Sequence, residues 1–164
     1  MDRVYFMVAF VVPILLLGLQ GCLEDDADGG NEEEDLYSDG TVSFFNDGER
    51  ILTLQCQFME TEEERSQGLS GRKGLPGGKG MLFVFPYPER VFFWMKDMHF
   101  PIDIVFINVG LNVTVVRSAG VEEEIPDENL TRYTGDGGTM YVVEMAYGLA
   151  SNSGVGPGTR AVIE

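Results

Sequence analysis

The chain has 164 residues, 44% hydrophobic and 23% charged, enough for one globular domain with appendages; that composition excludes wholesale disorder and a multi-span membrane protein. Asp and Glu number 27 against 11 Lys and Arg, a net charge of -16. So acidic a chain argues against nucleic acid as a partner, because that binding depends on Lys and Arg displacing counterions. Its two cysteines exclude a disulfide-rich scaffold.

Residues 1–21 read as an export signal. Arg3 supplies a positive start, weakened by Asp2, and residues 4–19 are almost wholly apolar. As a helix such a run spans only ~24 Å, short of the ~30 Å hydrocarbon core of a bilayer, and Pro13 interrupts it further. Leu19-Gln20-Gly21-Cys22 follows. This resembles the lipobox of bacterial-type lipoprotein signals, which implies cleavage before Cys22 and a diacylglycerol on its thiol. The alternative is an uncleaved membrane anchor. Both readings put the remainder at the cell membrane, facing outside the cytoplasm.

Residues 22–39 read as the lipidated Cys22 followed by an acidic, disordered tether. Residues 23–39 hold nine acids and no base, with almost no large apolar side chain to offset the entropy of ordering. Glu24, Asp26, Asp28 and Gly29 loosely echo a calcium loop. The first ligand position is Glu, and Asp35 stands where the bidentate Glu belongs, so a solvated linker is the better reading and no metal site is assigned. Residues 40–164 form the folded body, with 17 acids and 10 bases, a net charge of -7.

Within the body, residues 41–45 read as a strand leading into the turn signal Asn46-Asp47-Gly48-Glu49. Residues 50–59 alternate, with Leu52, Leu54, Cys56 and Phe58 on one face, which marks a half-buried strand. Cys56 falls on the apolar face and reads as a small buried hydrophobe. Thr61 and Glu64 make a capping box for a short helix that Gly68 can end. Residues 70–80 are a glycine-rich loop. Gly78-Lys79 invites comparison with a phosphate loop, but Lys73 stands where the first Gly is needed and Gly80 where Ser or Thr is needed.

Residues 81–85 are a continuous apolar run ended by Pro86-Tyr87-Pro88, and residues 91–95, 102–107 and 113–116 follow as further strands. After an acidic loop over residues 122–128, residues 140–145 are strand-like, a short helix covers residues 146–153, and residues 160–163 close the pattern. The expectation is a mainly β (small α+β) single domain, a compact β-barrel or sandwich with one or two short helices.

Several blocks in this body resemble the bacterial and archaeal family catalogued as domain of unknown function 192. They are Gly68-Leu69, Arg72 and Leu75; Gly80-Met81-Leu82-Phe83-Val84-Phe85; Phe93-Trp94-Met95-Lys96-Asp97; residues 101–107; Tyr141-Val142-Val143-Glu144 with Gly148; and Gly154-Val155 with Gly158. The resemblance implies a compact, mainly β, often exported domain and no established activity. Ser70 stands where that pattern commonly has Met, and Asp97-Met98 where it has Asn-Thr.

The polar cluster in residues 94–103 is the densest: Trp94, Lys96, Asp97, His99 and Asp103. Each has a structural reading beside the functional one: Trp94 as core, Lys96-Asp97 as a surface pair, Asp103 as a loop brace. Glu144 interrupts an apolar strand, so it must reach solvent or a cation such as Arg72. Arg72, Trp94, Lys96, Asp97, Asp103 and Glu144 are therefore the candidate ligand-binding residues, and catalytic residues are not assigned. Pro101 argues against a helix bringing His99 and Asp103 together on a metal. No cofactor is implied.

Asn112-Val113-Thr114 and Asn129-Leu130-Thr131 are short sequons at turn or loop positions. The leading expectation is a lipid-anchored extracytoplasmic binding or accessory domain, its partners the membrane through Cys22 and a small molecule or an envelope protein. The alternatives are an enzyme acting on an envelope or sugar-like substrate through Asp103 and Glu144, and a structural partner-binding module without a pocket.

Overall fold

The computed structural model describes residues 37–164. The export signal, Cys22 and the tether up to residue 36 lie outside the described residues. The described residues begin three residues before Gly40. Tyr37 is buried, and the Asp39 carboxylate accepts a hydrogen bond from the Phe58 N–H at 2.8 Å.

The strands are β1 (Gly40–Asn46), β2 (Glu49–Met59), β3 (Lys79–Glu89), β4 (Phe92–Phe93), β5 (Ile102–Asn108), β6 (Val113–Ala119), β7 (Tyr133–Thr134), β8 (Thr139–Ala146) and β9 (Arg160–Ile163). Two short helices, α1 (Glu62–Gln67) and α2 (Leu149–Ser153), accompany them. Seven strands form one sheet in the order β6-β5-β8-β3-β2-β1-β9, and β4 pairs separately with β7. The body is a mainly β single domain built on a curled half-barrel sheet. At one end the two edges of the sheet meet: the Val113 N–H donates to the Thr159 carbonyl at 2.8 Å, and the Ala161 N–H to the Leu111 carbonyl at 2.8 Å.

All neighbouring strands in this sheet run antiparallel except β2 and β3, which are parallel. A parallel pair needs a crossover connection. Helix α1 and the glycine-rich loop supply it, and they hang α1 and residues 68–72 over one face of the sheet.

The capping box expected at α1 is present. Thr61 Oγ1 accepts from the Glu64 N–H at 3.2 Å, and Glu64 Oε2 accepts from the Thr61 N–H at 2.9 Å. Hydrogen bonds to its carboxylate from the Thr61 N–H, then from the Glu60 N–H and the Thr61 side chain, hold the Glu64 carboxyl below its ordinary range. With six residues and no buried side chain, α1 depends on its cap. Thr61→Ala is expected to lower urea-unfolding stability by about 1 kcal/mol, with Thr61→Ser close to the native protein. Equal stability of all three would remove the cap from the account.

Two expectations for strand ends are corrected. Strand β3 passes through Pro86 and Pro88 to Glu89, with its register to β8 broken between Val84 and Glu89. Proline lacks the donor a continuous ladder needs, and the irregularity removes that need. The strand expected over residues 91–95 shrinks to Phe92–Phe93, because Met95 begins a turn whose carbonyl accepts from the Met98 N–H at 3.2 Å.

The sheet is buried on both faces. One core holds Val42, Phe44, Leu54, Cys56, Leu82, Val105, Val143 and Met145. The other holds Met59, Leu69, Met81, Phe83, Met95, Ile104, Phe106 and Val142. Cys56 is fully buried in the first, and burial pushes its thiol up to about 12. A thiolate is the reactive form. Maleimide is expected to leave Cys56 unmodified in the native protein and to label it in urea, as read by peptide mass mapping; native-state labelling would contradict this burial.

Candidate functional site

The second face carries the candidate site. Alternation along β8 puts Val142, Glu144 and Ala146 on this side, and Glu144 stands opposite Ile104 of β5 and Met81 of β3. Gln57 of β2 continues the row beyond Met81. Glu144 is therefore a carboxyl in the middle of a sheet, flanked by apolar neighbours.

Above it lies a groove of about 410 Å3 with Glu144 among its lining residues. Helix α1 and the turn after it contribute Arg65 and Gly68 to one wall. Arg90 just after β3, Phe92 of β4 and Trp94 just after it contribute to the other. Phe83 stacks edge-on against Phe93 at 4.9 Å between ring centres, and Phe93 against Phe106 at 5.9 Å, which fixes the aromatic wall. Gly68 adopts φ +47°, and a Cβ there would meet the Phe83 ring at 3.3 Å. The chain can turn out of α1 this close to the aromatic wall only without a side chain.

Glu144 is 5% exposed, and its Oε2 has no hydrogen-bond partner. Burial pushes its carboxyl up to about 8 from the ordinary 4.5, and the charge of Arg72 partly opposes the shift. Arg72 does not pair with Glu144 directly. Its guanidinium donates to the Tyr37 hydroxyl at 2.8 Å and to Gln57 Oε1 at 2.5 Å, and lies over the Tyr37 ring at 5.4 Å. At neutral pH Glu144 is thus mostly a neutral acid, able both to donate and to accept.

The other candidates separate. Trp94 is a groove wall, 44% exposed. Lys96 stands 5.8 Å from the centre of the Trp94 ring and forms an ion pair with Asp127; the hydrogen bond to Asp127, and then its charge, raise the Lys96 pKa. Both partners are solvent-exposed, so the pair adds little stability. Asp97 occupies the turn at φ 55°, where Asn and Asp are among the few residues tolerated. Its carbonyl accepts from the Gly71 N–H at 2.8 Å, and the Lys96 carbonyl from the Ser70 hydroxyl at 2.9 Å, tying this turn to the loop after α1. Met98, at the position where the resembling pattern has Thr, is buried in the second core.

Asp103 is on the opposite side of the sheet from Glu144. It pairs in register with Met145 of β8, one residue beyond Glu144, so its side chain enters the first core. There Oδ1 accepts from the Ser118 hydroxyl at 2.6 Å and Oδ2 from the Ala150 N–H at 3.0 Å. Asp103 and Glu144 therefore do not form a carboxylate pair across one cleft, and of the candidates Arg72, Lys96 and Asp103 only Arg72 acts on Glu144, through its field. Among the described residues no group of three or more His, Cys, Asp or Glu converges as a metal site would require.

Sequence reasoning missed Arg65, Arg90 and Phe92. Residues 91–95 read as a buried strand, although the Arg90-Val91-Phe92 alternation hints that Phe92 points away from the core.

These features belong to a small β-domain with a groove on one sheet face. The DUF192 family, described as "Uncharacterized ACR", matches residues 43–163, and the chain belongs to that family. Among solved structures it is similar to a protein of unknown function from Novosphingobium aromaticivorans, 26% identical with a TM-score of 0.67, covering 74% of this chain and 83% of that one. It is similar also to a protein from Sinorhizobium meliloti described as "a putative transcription regulator", 25% identical with a TM-score of 0.67, covering 76% of this chain and 92% of that one. No curated protein matches the chain.

Proposed function

We propose that this chain is a lipid-anchored extracytoplasmic binding domain whose ligand occupies the Glu144 groove. The observation that carries the reading is a nearly buried carboxyl with an unpartnered oxygen, among the lining residues of a groove with exposed aromatic walls. Such a group costs stability, and a ligand that satisfies it recovers the cost. The groove volume falls in the range of small-molecule sites. The anchor rests on Leu19-Gln20-Gly21-Cys22 and the apolar run before it. The description of the Sinorhizobium protein is not carried over, because a body of net charge -7 is a poor match for DNA.

Mass spectrometry of the membrane fraction tests the anchor. A mature chain starting at Cys22 with a diacylglycerol adduct is expected, and an intact Met1 with bare Cys22 would overturn it. A thermal-shift screen tests the groove, because a ligand that binds only the native state raises its melting temperature. A hit whose shift disappears in Glu144→Leu supports the site. Hits whose shifts survive that substitution would place binding elsewhere.

A further inference from the structure

The charges and ring faces of the groove narrow the chemistry of what it would hold. Its lining includes two acids besides Glu144, Glu62 and Glu89, and two bases, Arg65 and Arg90. The formal charges of these four cancel. Arg65 is already committed, donating to the Glu60 and Val84 carbonyls and lying 5.3 Å from the centre of the Phe85 ring. Lys96 in turn lies over the Trp94 ring. A ligand cation would meet the Arg65 and Lys96 charges beside these rings and the Arg72 charge that acts on Glu144. A ligand anion would approach a body of net charge -7.

What remains is a neutral ligand. An aromatic face is negative and attracts the slightly positive C–H hydrogens of a saturated ring. Phe92, 58% exposed, and Trp94, 44% exposed, offer such surfaces at the mouth. The Glu144 carboxyl lines the same groove and complements a hydroxyl, which also donates and accepts. We infer that the groove takes a neutral saccharide, with one hydroxyl on Glu144 and a C–H face against Phe92 and Trp94. This inference rests on the groove being the ligand site.

Trp94 is the only tryptophan in the chain, so its fluorescence reports on the groove directly. The full chain would be titrated with glucose, galactose, N-acetylglucosamine and cellobiose, with choline as a cationic probe and glucuronate as an anionic one. A saturable change is expected with at least one neutral sugar, weakened about tenfold in Glu144→Leu, as befits loss of one hydrogen bond to a buried group. A similar weakening is expected in Phe92→Ala. That substitution is at an exposed position and keeps the test valid should Glu144→Leu not fold, which circular dichroism reads. Saturation by choline or glucuronate but by no neutral sugar would overturn the ligand class and leave the groove reading standing. A sugar response that both folded variants retain in full, or no response to any probe, would overturn the inference and the groove reading together.

Discussion

Between pH 5 and pH 8 the native protein is expected to lose stability steadily, and Glu144→Gln is expected to abolish most of that loss. The folded carboxyl binds its proton up to about pH 8, while in the unfolded chain it releases it near the ordinary 4.5. Between those values the folded state holds more protons than the unfolded state, so raising the pH favours unfolding. The slope approaches about 1.4 kcal/mol per pH unit within the window. Accumulated across it, the loss is on the order of 4 kcal/mol, comparable to the whole net stability of a marginal domain.

An amide cannot ionise, so the curve of Glu144→Gln should be flat over the same range. The variant should be the less stable protein near pH 5, where the second amide hydrogen lacks a partner, and the more stable one at pH 8. Urea midpoints at pH 5, 6, 7 and 8 read this crossing. Parallel curves for the two proteins would mean that Glu144 is ionised in the fold. Arg72→Leu should move the upper end of the window above pH 8, because the Arg72 charge lowers the Glu144 pKa. Glu64 acts in the opposite sense: its lowered pKa gives stability that is present above 4.5 and lost toward acid.

The sequence made some of this legible. The Asn46–Glu49 hairpin, the capping box and the alternation of Leu54 and Cys56 are local patterns, and each occurs where the residues place it. The parallel pairing of β2 with β3 was not legible, although a capped helix between two strands was in view. Pairing partners are set by the whole sheet, and no residue in either strand names its neighbour.

The side of the sheet taken by Glu144 was hidden for a different reason. From Ile102 to Ile107 every residue of β5 is buried, and so are Val142, Glu144 and Met145 with Val143 between them in β8. Alternation marks an inside only when the other side is wet. With both faces covered, Asp103 and Glu144 read as equivalent polar interruptions, and only the register of β5 with β8 separates them.

That separation makes Asp103→Ala the second large effect, and one of a different kind. Gly148, the N-cap of helix α2, has no side chain to cap it, so the Ala150 N–H would be orphaned without the Asp103 carboxylate reaching it from β5. Alanine leaves that buried donor without its acceptor, whereas the hydroxyl of the exposed Ser118 can turn to water. A loss of about 2 kcal/mol is expected by urea unfolding. Asp103→Asn should be far milder, because the amide oxygen can still accept from Ala150 while the NH2 donates to a Ser118 hydroxyl turned to accept. Adding Ser118→Ala to Asp103→Ala should cost little more, since the two groups share one bond. A residue paired with Glu144 in catalysis or binding would behave in reverse, with Asp103→Asn destroying function and sparing stability. The expected result is that Asp103→Asn leaves the ligand response of Trp94 unchanged, as a brace on the far face of the sheet should. An Asp103→Asn protein of native stability that no longer responds would put Asp103 back in the site.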